Sequence, residues 1–595
     1  MSGTEKPQQA NKAKSAKSVK QTGAWLCVHA LEQLPVRHTF GIPGVQNTEI
    51  YDELNKSKKI EPILVIHEGG GAFMADAISR TSGDVGTLVV VPSAGITHAM
   101  SGIGEAFLDG IPMLIISGGI RRDTGKFYQL HQWDQHKFLA NATKKTYLIS
   151  EHRQIVPTIF EAYRIATSGE PGPVFIEIPV DIQLFKGDAG VLPSFQEAEL
   201  TAMFDEEEID QALALLRAAK KPALFLGWGC REATAAAVAL AELLEAPVAT
   251  TLQGLSVFPA NHPLHAGMGF GPSAVPAAEN AFKDCDCLLA AGVRFAEIPT
   301  GSYGVTVPEN LIHIDINPEV FHKNYPAKVA VEGDAAEVLV ALVNGLRDSS
   351  HRPSRTGDRL RNQIRDDKAK YLTEWKKHRS KRVNPALFFE SLRRHLPDDA
   401  ITVVDDGNHT FLAAELFPVY QSKTFISPTD FNCMGYCVPG AIGAKMVNPQ
   451  KTVIGIVGDG AFLMTCMEII TASTHNLGVI YFVFHDGELS QISQGQEIPY
   501  NRKVCTVLGD FQLSGVAQAT GAAFLEIREN PEIDSIVPSA LQIAAKGQSV
   551  IVDVHIDYSK RTRFTKGVVD TVMKRFSLGD KFRFVGRAIV RKVTG

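Results

Sequence analysis

The chain has 595 residues, which is too long for a single hydrophobic core and predicts roughly three or four domains. Its residues are 45% apolar and 21% charged, and 50 of them are glycine, a composition typical of a large α/β protein. The net charge of −5 and the pI near 6.4 exclude a general attraction to nucleic acid, and interruptions by Pro, Gly, Ser and His exclude membrane spans, so we expect neither partner.

The amino-terminal segment, residues 1–21, is polar and rich in lysine. It lacks the arginines and the amphipathic pattern of an organelle-targeting peptide, so we predict a disordered tail. The eight cysteines are scattered along the chain without a C-x-x-C pair. This spacing favours reduced thiols and a cytoplasmic protein.

Short apolar runs alternate with longer segments of helical period from residue 22 to residue 190. The runs are HTFGIPG, EPILVIHE, VGTLVVVPS, IPMLIISGG and GPVFIEIPVD. Continuous runs rich in Val and Ile, each followed by a helix, indicate parallel strands that are covered on both faces. We therefore predict an α/β domain over this range.

The same alternation returns between residues 384 and 557, in AITVVDDG, TVIGIVGDG, GVIYFVFHDGE and SVIVDVHID. The last strands of the two segments are alike, VFIEIPVD in the first and VIVDVHID in the second. This pattern predicts a second α/β domain that arose by internal duplication.

A third α/β segment, residues 200–346, contains KPALFLGWG, APVATT, DCLLAAGVRF and NLIHIDINP. Residues 347–383 carry many charges of both signs and predict a charged linker or a solvated helix. The basic residues 558–595 predict either a flap or helix over a site, or a solvated surface. The expected fold is thus α/β, with three doubly wound parallel-sheet domains.

Two carboxylates follow buried strands of the carboxyl-terminal segment. Asp459 and Asp486 are 27 residues apart, about one strand–helix–strand repeat, so we expect them at neighbouring strand ends facing one crevice. Gly458 and Gly460 permit a tight turn beside Asp459, and a helix beginning near Ala461 points its N–H groups at the same place. Carboxylates next to an anion-binding helix end suggest Mg²⁺ that bridges the protein and a phosphate.

These motifs resemble the thiamine-diphosphate enzymes, in particular the acetolactate synthase and 2-oxoacid decarboxylase branch. The family signature is Gly-Asp-Gly, followed about 27 residues later by an Asn at a strand end. The resemblance runs from about residue 22 to residue 557. It includes the segments FGIPGVQNTEIYDEL, VIHEGGGAFMADAISR, SAGITHAMSGIGEAFLDGIPMLIISG, PGPVFIEIPVDI and MGYCVPGAIGAK. It implies a pyrimidine-binding domain, a central domain and a diphosphate-binding domain.

The resemblance assigns roles to individual residues. Glu68 would hydrogen-bond the aminopyrimidine ring of the cofactor and act in acid–base catalysis. Asp459, Asp486 and the main-chain carbonyl of Glu488 would hold Mg²⁺. The remaining contacts to thiamine diphosphate would come from Gly407, Asn408, His409, Met434, Gly458, Gly460, Ala461 and Leu489.

The sequence also departs from the family. Asp486 stands where the family usually has Asn, which adds a negative charge beside the diphosphate. His98 replaces an Asn, and His131 and Gln132 stand where Gln and Glu are expected. Because histidine titrates near neutrality, we predict that His98 and His131, with Gln132, act on the substrate, the alternative being a structural role.

The acceptor side differs further from acetolactate synthases. Ser493 and Gly495 occupy the positions of an Arg and a Trp that form the acceptor pocket in those enzymes. We therefore do not expect ordinary acetolactate formation from two pyruvates. Glycine-rich turns in the central domain leave its ligand open between FAD, ADP and none.

The function implied by the resemblance is decarboxylation of a 2-oxoacid, carboligation, or both, in a homodimer or homotetramer. Two alternatives remain. One is a lyase that cleaves 2-hydroxyacyl-CoA or a cyclic diketone without loss of CO₂. The other is a non-catalytic thiamine-diphosphate-binding or regulatory protein, which the presence of Asp486 and His131 motivates.

Overall fold

The computed structural model describes residues 18–197, 204–348 and 357–594. Within these ranges the chain forms three six-stranded sheets, and every strand pair inside them is parallel. Helices flank each sheet, and the central strands are buried throughout. The predicted α/β class with three parallel-sheet domains is confirmed.

The amino-terminal domain has the strand order β3-β2-β4-β5-β7-β6, and a separate two-stranded ribbon joins β1 to β8. Its strands are β1 (Lys20–Thr22), β2 (His38–Gly41), β3 (Glu61–Leu64), β4 (Gly86–Val90), β5 (Met113–Gly119), β6 (Lys145–Leu148), β7 (Pro173–Pro179) and β8 (Lys186–Asp188). Its helices are α1 (Gly23–Leu31), α2 (Thr48–Leu54), α3 (Glu68–Thr81), α4 (Ala94–Asp109), α5 (Gln135–Leu139), α6 (His152–Thr167) and α7 (Val180–Leu184).

Of the predicted tail, residues 1–21, the structure describes only residues 18–21. Residues 1–17 lie outside the described ranges. Lys20 and Gln21 belong to β1, which pairs antiparallel with β8. Backbone hydrogen bonds to β8, at the end of the domain, therefore hold these polar residues in a strand. Because the residues are polar, no apolar pattern in the sequence predicts this strand.

The central domain has its first strand in the middle of the sheet, in the order β11-β10-β9-β12-β13-β14. This is the arrangement of dinucleotide-binding sheets. Its strands are β9 (Pro222–Leu226), β10 (Val248–Thr250), β11 (His265–Met268), β12 (Cys287–Ala291), β13 (Asn310–Asp315) and β14 (Val329–Glu332). Its helices are α8 (Glu206–Ala218), α9 (Thr234–Leu244), α10 (Pro276–Ala281) and α11 (Ala335–Asp348), with 3₁₀ turns at Trp228–Cys230 and Pro318–Val320.

A charged helix, α12 (Gly357–Lys376), occupies most of the predicted linker. Only its apolar stripe is buried, at Leu360, Ile364, Tyr371 and Trp375. Within the segment predicted as a charged linker or a solvated helix, Gly357–Lys376 is thus helical.

The carboxyl-terminal domain repeats the topology of the amino-terminal domain. Its strands are β15 (Ile401–Val404), β16 (Phe425–Ile426), β17 (Val453–Gly458), β18 (Val479–Phe484), β19 (Ala523–Ile527) and β20 (Val550–Val554). They follow the order β16-β15-β17-β18-β20-β19, so each strand takes the place of its counterpart in the first domain. This identity of strand order is what an internal duplication predicts.

The helices of this domain surround the sheet, and two more follow it. They are α13 (Pro385–His395), α14 (Asn408–Leu416), α15 (Cys437–Val447), α16 (Asp459–Thr465), α17 (Ile469–Thr474), α18 (Ser490–Tyr500), α19 (Leu513–Thr520) and α20 (Ile533–Ala544), with 3₁₀ turns at Cys466–Glu468 and Asn530–Glu532. The basic tail forms α21 (Arg563–Arg575) and α22 (Leu578–Thr594). Phe564 of α21 stacks on Phe411 of α14, so the start of the tail packs on the domain.

The two duplicated domains meet through equivalent helices. Helix α3 follows the second strand of the first sheet, and α15 follows the second strand of the last sheet. Their apolar residues belong to one continuous core. Gly443 allows close approach, because a Cβ there would lie 2.4 Å from the carbonyl oxygen of Met74.

Candidate active site

The two predicted metal ligands lie at the ends of neighbouring strands. β17 and β18 pair in parallel, with Gly458 opposite Phe484. Asp459 follows the first strand directly, and Asp486 lies two residues beyond the second. Both side chains line one cleft at the carboxyl edge of the sheet, as the strand-end argument predicts.

The Asp459 carboxylate connects the turns that follow β17 and β18 through hydrogen bonds. One carboxylate oxygen accepts a hydrogen bond from Gly460 N at 2.7 Å, and the other accepts from Asp486 N at 3.1 Å and Gly487 N at 2.7 Å. The side chain is buried, and burial raises its pKa although these backbone donors oppose the shift. A buried carboxylate with a raised pKa is stabilised by a cation.

Asp486 adds a second carboxylate to the cleft. Burial, with the charge of Asp459, raises its pKa to about 6, and a hydrogen bond from the Ser490 hydroxyl opposes the shift. The Glu488 carboxylate instead pairs with Lys503 Nζ at 2.6 and 2.7 Å. That side chain is therefore engaged elsewhere, and the predicted ligand of Glu488 is its main-chain carbonyl.

One cleft of about 130 Å³ brings together all the predicted cofactor and metal residues of this domain. It is lined by Gly407, Asn408, His409, Met434, Gly458, Asp459, Gly460, Ala461, Asp486, Glu488 and Leu489. Sequence reasoning did not include Asp406, Phe484, Ser490, Gln491, Ile492 and Tyr558, which also line it. Three of these six residues, Ser490, Gln491 and Ile492, begin helix α18, and Phe484 ends strand β18.

The cleft fits a bound metal and a cofactor in its polar atoms and its shape. His409 Nε2 is buried and has no hydrogen-bond partner among the described residues. Burial lowers the pKa of His409 to about 3, so the ring is neutral. A Cβ on Gly460 would lie 2.4 Å from a Leu489 methyl, and Gly487 has a φ of +81°. Glycines at these turns therefore allow the two loops to approach each other closely.

Buried carboxylates of the amino-terminal domain hold the loop that carries Met434. The Glu105 carboxylate accepts from Thr429 N and Cys433 N, each at 3.2 Å. Asp109 accepts from Asp430 N at 2.9 Å. The same helix, α4, therefore positions both ends of the segment before Met434.

The counter-charge for these carboxylates is Arg80, which is fully buried. Its guanidinium donates to Asp76 Oδ1 at 2.6 Å and to Asp109 Oδ2 at 2.9 Å, and Glu105 lies 3.8 Å away. Three carboxylates around one guanidinium leave excess negative charge. Burial and the neighbouring Asp109 accordingly raise the pKa of Glu105.

Glu68 is buried at the start of α3, but it does not line the cleft, whose lining residues all come from the carboxyl-terminal domain. Its carboxylate contacts His98 Nδ1 at 3.0 Å, and the His98 ring stacks on His67 with ring centroids 4.7 Å apart. The structure thus brings Glu68 and His98 together. The His98 side chain is 53% exposed, whereas that of Glu68 is only 7% exposed.

His131 and Gln132 lie on a loop at the same edge of the amino-terminal sheet. The His131 carbonyl accepts from the Ser93 hydroxyl at 2.9 Å, and Ser93 directly precedes α4, which carries His98. His131 has a φ of +60°, and Gln132 is exposed. Neither residue lines the carboxyl-terminal cleft.

A second crevice lies at the carboxyl ends of the central strands, between all three domains. Arg294 of the central domain links the three domains across this crevice. Its guanidinium donates hydrogen bonds to Asp430 of the carboxyl-terminal domain at 2.9 Å and to Glu170 of the amino-terminal domain. Trp228 Nε1 is buried without a partner among the described residues, and the Arg231 guanidinium lies 5.7 Å from the Trp228 ring centre. Burial raises the pKa of Asp315, which also lines the crevice, to about 6.

None of the eight cysteines, all of which lie within the described residues, takes part in a disulfide bond. Among the described helices, none combines the length and the apolar character that a membrane crossing requires.

Three parts of the chain match thiamine pyrophosphate enzyme domains. They match the N-terminal TPP binding domain (residues 21–138), the central domain (residues 209–342) and the C-terminal TPP binding domain (residues 405–554). The chain is 30% identical over 560 residues to the acetolactate synthase isozyme 3 large subunit of Escherichia coli, covering 91% of this chain and 95% of that protein. It is 30% identical over 558 residues to the acetolactate synthase large subunit of Corynebacterium glutamicum, with 91% and 88% covered. It is also 30% identical over 498 residues to the chloroplastic acetolactate synthase of Arabidopsis thaliana, with 82% and 73% covered.

Proposed function

Because the chain belongs to the thiamine pyrophosphate (thiamine diphosphate) enzymes and is similar to acetolactate synthases, we propose that it makes or breaks a carbon–carbon bond beside the carbonyl of a 2-oxoacid. The observation that carries this proposal is the cleft that gathers Asp459, Asp486 and every predicted cofactor contact of the carboxyl-terminal domain. Thiamine diphosphate, when bound, supplies a nucleophilic carbon that adds to the substrate carbonyl.

The residues of the cleft hold and orient the cofactor in this proposal. Asp459, Asp486 and the carbonyl of Glu488 would bind Mg²⁺, which neutralises both their charge and that of a diphosphate. The orphaned His409 Nε2 offers one further hydrogen bond. Met434, which the α4 carboxylates fix through the backbone, limits the space available to the cofactor rings.

Glu68 would hold a proton at its Oε2 atom and transfer it near the cofactor ring. His98 Nδ1, 3.0 Å from that atom, orients the carboxylate. Because Glu68 lies outside the cleft of its own chain, we propose that it completes the cleft of a second copy in a homodimer or homotetramer. Large exposed apolar side chains on the loop that carries His131 support this assembly, since Phe127 is 79% and Trp133 is 60% exposed.

The substrate partner is expected to differ from that of the acetolactate synthases. Ser493 is buried and bonded to Glu488, and Gly495 has no side chain, so helix α18 offers neither a cation nor an aromatic ring at the two positions. We propose that the donor is a 2-oxoacid and that the acceptor is bound without an arginine from this helix. Loss of CO₂ from the donor precedes either protonation or carboligation.

For the central crevice we propose an adenine nucleotide, which is the part that FAD and ADP share. The dinucleotide-type strand order and the unpartnered Trp228 Nε1 support this proposal. A visible flavin spectrum in the purified protein would identify FAD. Binding of ADP to the colourless protein would identify ADP.

Calorimetric titration of metal-stripped protein with thiamine diphosphate, with and without Mg²⁺, tests the proposal. We expect binding only when Mg²⁺ is present, and Glu488→Gln should bind as the wild type does because its side chain is not the ligand. Asp486→Asn should also bind, since an amide oxygen remains available. Binding by Asp486→Asn but not by the wild type would overturn the catalytic proposal and favour a non-catalytic protein.

A screen of 2-oxoacids for CO₂ release then separates the enzymatic alternatives. Release of CO₂ with one product would indicate decarboxylation, and a larger coupled product would indicate carboligation. Thiamine-diphosphate-dependent cleavage of a 2-hydroxyacyl-CoA or a cyclic diketone without CO₂ would replace the 2-oxoacid assignment.

A further inference from the structure

A large cavity lies at the carboxyl-terminal end of α14, whose first residues, Asn408 and His409, line the active-site cleft. We name it the linker cavity, because helix α12 forms one wall. Edge strand β11 forms the second wall, and the carboxyl-terminal parts of α13 and α14 form the third. Its volume is about 530 Å³. The apolar part of the lining comes from Leu255, Ala266, Val275, Ala277, Leu372, Leu416, Phe417 and Pro418.

An ammonium group without a counter-ion lies in this cavity. Lys368 Nζ contacts His265 Nδ1 at 3.1 Å and the Ala260 carbonyl at 3.4 Å. Within residues 18–197, 204–348 and 357–594 it forms no ion pair with any carboxylate. Burial lowers its pKa to about 8, as expected for a cation that lacks a neighbouring negative charge.

His265 adds a second unsatisfied donor. Its Nδ1 accepts from Lys368, and burial lowers the pKa of the ring well below its usual range, so the neutral ring carries its proton on Nε2. This Nε2 is buried, and the described part of the chain offers it no acceptor. Leaving a buried N–H group unpaired is unfavourable unless a ligand or water accepts from it.

The acidic side chains around the cavity are already satisfied. Glu390 pairs with Lys376 at 2.5 Å. Glu415 accepts from the Tyr371 hydroxyl and from Arg563 N and Phe564 N. The hydrogen bonds and ion pairs of Glu390 and Glu415 are thus made with groups other than Lys368.

A second cation lies against aromatic rings. The Arg393 guanidinium is 5.5 Å from the Phe417 ring centre and 4.8 Å from the Tyr420 ring centre. Its Nε atom is buried without a partner in the described chain, and its only carboxylate, Asp398, is 3.9 Å away and largely exposed. This arrangement leaves an N–H donor beside an apolar surface.

We propose that the linker cavity binds a small apolar carboxylate. The carboxylate would pair with Lys368 Nζ, and the hydrocarbon would pack on Leu372, Leu416 and Phe417. A strongly hydrated anion such as inorganic phosphate is disfavoured, because most of the wall is apolar.

Calorimetric titration of the full chain, saturated with thiamine diphosphate and Mg²⁺, tests the site with octanoate as the probe. We expect one octanoate per chain, with octanol and octylammonium binding at least about tenfold more weakly because each lacks the negative charge. Lys368→Met should weaken octanoate binding by about tenfold or more. Lys370→Met, an exposed lysine on the same helix, should bind octanoate as the wild type does.

The proposal is overturned if wild type fails to bind octanoate, if octanol binds equally well, or if Lys368→Met binds octanoate with unchanged affinity. Thermal unfolding of each variant shows whether it is folded. Should Lys368→Met not fold, Leu372→Trp keeps the ammonium group but fills the cavity. We expect this variant to lose octanoate binding, and unchanged binding would place the octanoate elsewhere.

Discussion

Single carboxylates connect the parts of this molecule at points where the backbone turns. Asp459 joins the two loops of the cleft, and Asp405 accepts from Gly435 N at 3.0 Å and Cys437 N at 2.8 Å. Glu468 does the same between domains, since one of its oxygens accepts from Ile66 N at 2.5 Å and His67 N at 2.9 Å. Each is buried, so each is satisfied by main-chain donors rather than by water.

Protonation of the Glu468 side chain predicts how the stability of the protein depends on pH. Burial raises its pKa to about 7, above the value near 4.3 of an unfolded chain, so the folded state binds the proton more tightly. Its contribution to stability is therefore complete at low pH and is lost as pH rises through about 4.3 to 7, by an amount on the order of 3 kcal/mol. Glu468→Gln keeps an acceptor oxygen and removes this loss.

Chemical denaturation of Glu468→Gln and wild type between pH 4.5 and pH 8 measures the effect. We expect the difference in unfolding free energy to grow in favour of the variant as pH rises. Glu468→Ala is the control, because it removes the acceptor and should be less stable than the wild type at every pH. A difference that does not vary with pH would contradict the assignment.

At the scale of elements, the contact between α3 and α15 depends on a missing side chain. A Cβ at Gly443 would meet main-chain atoms of Met74 at 2.4 and 2.8 Å, and backbone atoms cannot rotate away. We expect Gly443→Ala to lower the unfolding free energy by about 1–3 kcal/mol. The measurement is denaturant unfolding at fixed pH.

Gly495 provides the matched control for this helix substitution. It lies inside α18, and no atom lies within 4 Å of a Cβ built there. Gly495→Ala should be neutral or stabilise the protein by up to about 1 kcal/mol, because alanine favours the helix. Equal destabilisation by both substitutions would show that the helix contact is not the cause.

Sequence patterns predicted the inner elements better than the outer ones. The strand patterns did not identify β6, β11, β14, β16 and β19, and every one of them is an edge strand of its sheet. β6 is half exposed, and β16 has only two residues. An edge strand has one paired side and no need for a continuous apolar run, so composition does not mark it.

At the scale of the whole molecule, the duplicated domains place their functional residues at different openings. Glu68 begins α3 and contacts His98, whereas Asp459 begins α16 and lines a cleft that Glu68 does not line. If Glu68 completes the cleft of a second copy, as we propose, two copies are the smallest assembly that contains a whole site.

Mixing two inactive variants tests this arrangement. Glu68→Gln should lower turnover by about 10²- to 10⁴-fold, and Asp459→Ala should lose Mg²⁺-dependent cofactor binding. In a mixed dimer one site has both defects and the other has none. Refolding equal amounts together should therefore restore about a quarter of wild-type activity.

The control for this experiment is each variant refolded alone, which should stay inactive. Failure of the mixture, with dimers present by light scattering, would mean that both residues serve the same chain. That result would leave the metal cleft in place but would assign Glu68 another role.

The sequence by itself determined the three α/β domains, the duplication and the residues around Asp459 and Asp486. These depend on strand-end positions and on short motifs, and adjacent strands bring such positions together in any parallel sheet. Only the tertiary structure decided that Glu68 lies outside the cleft, that α4 carboxylates hold the Met434 loop, and that Lys368 and His265 share a cavity. These contacts join residues separated by hundreds of positions, or by a domain boundary. They arise from how elements pack, and local patterning carries no record of packing partners.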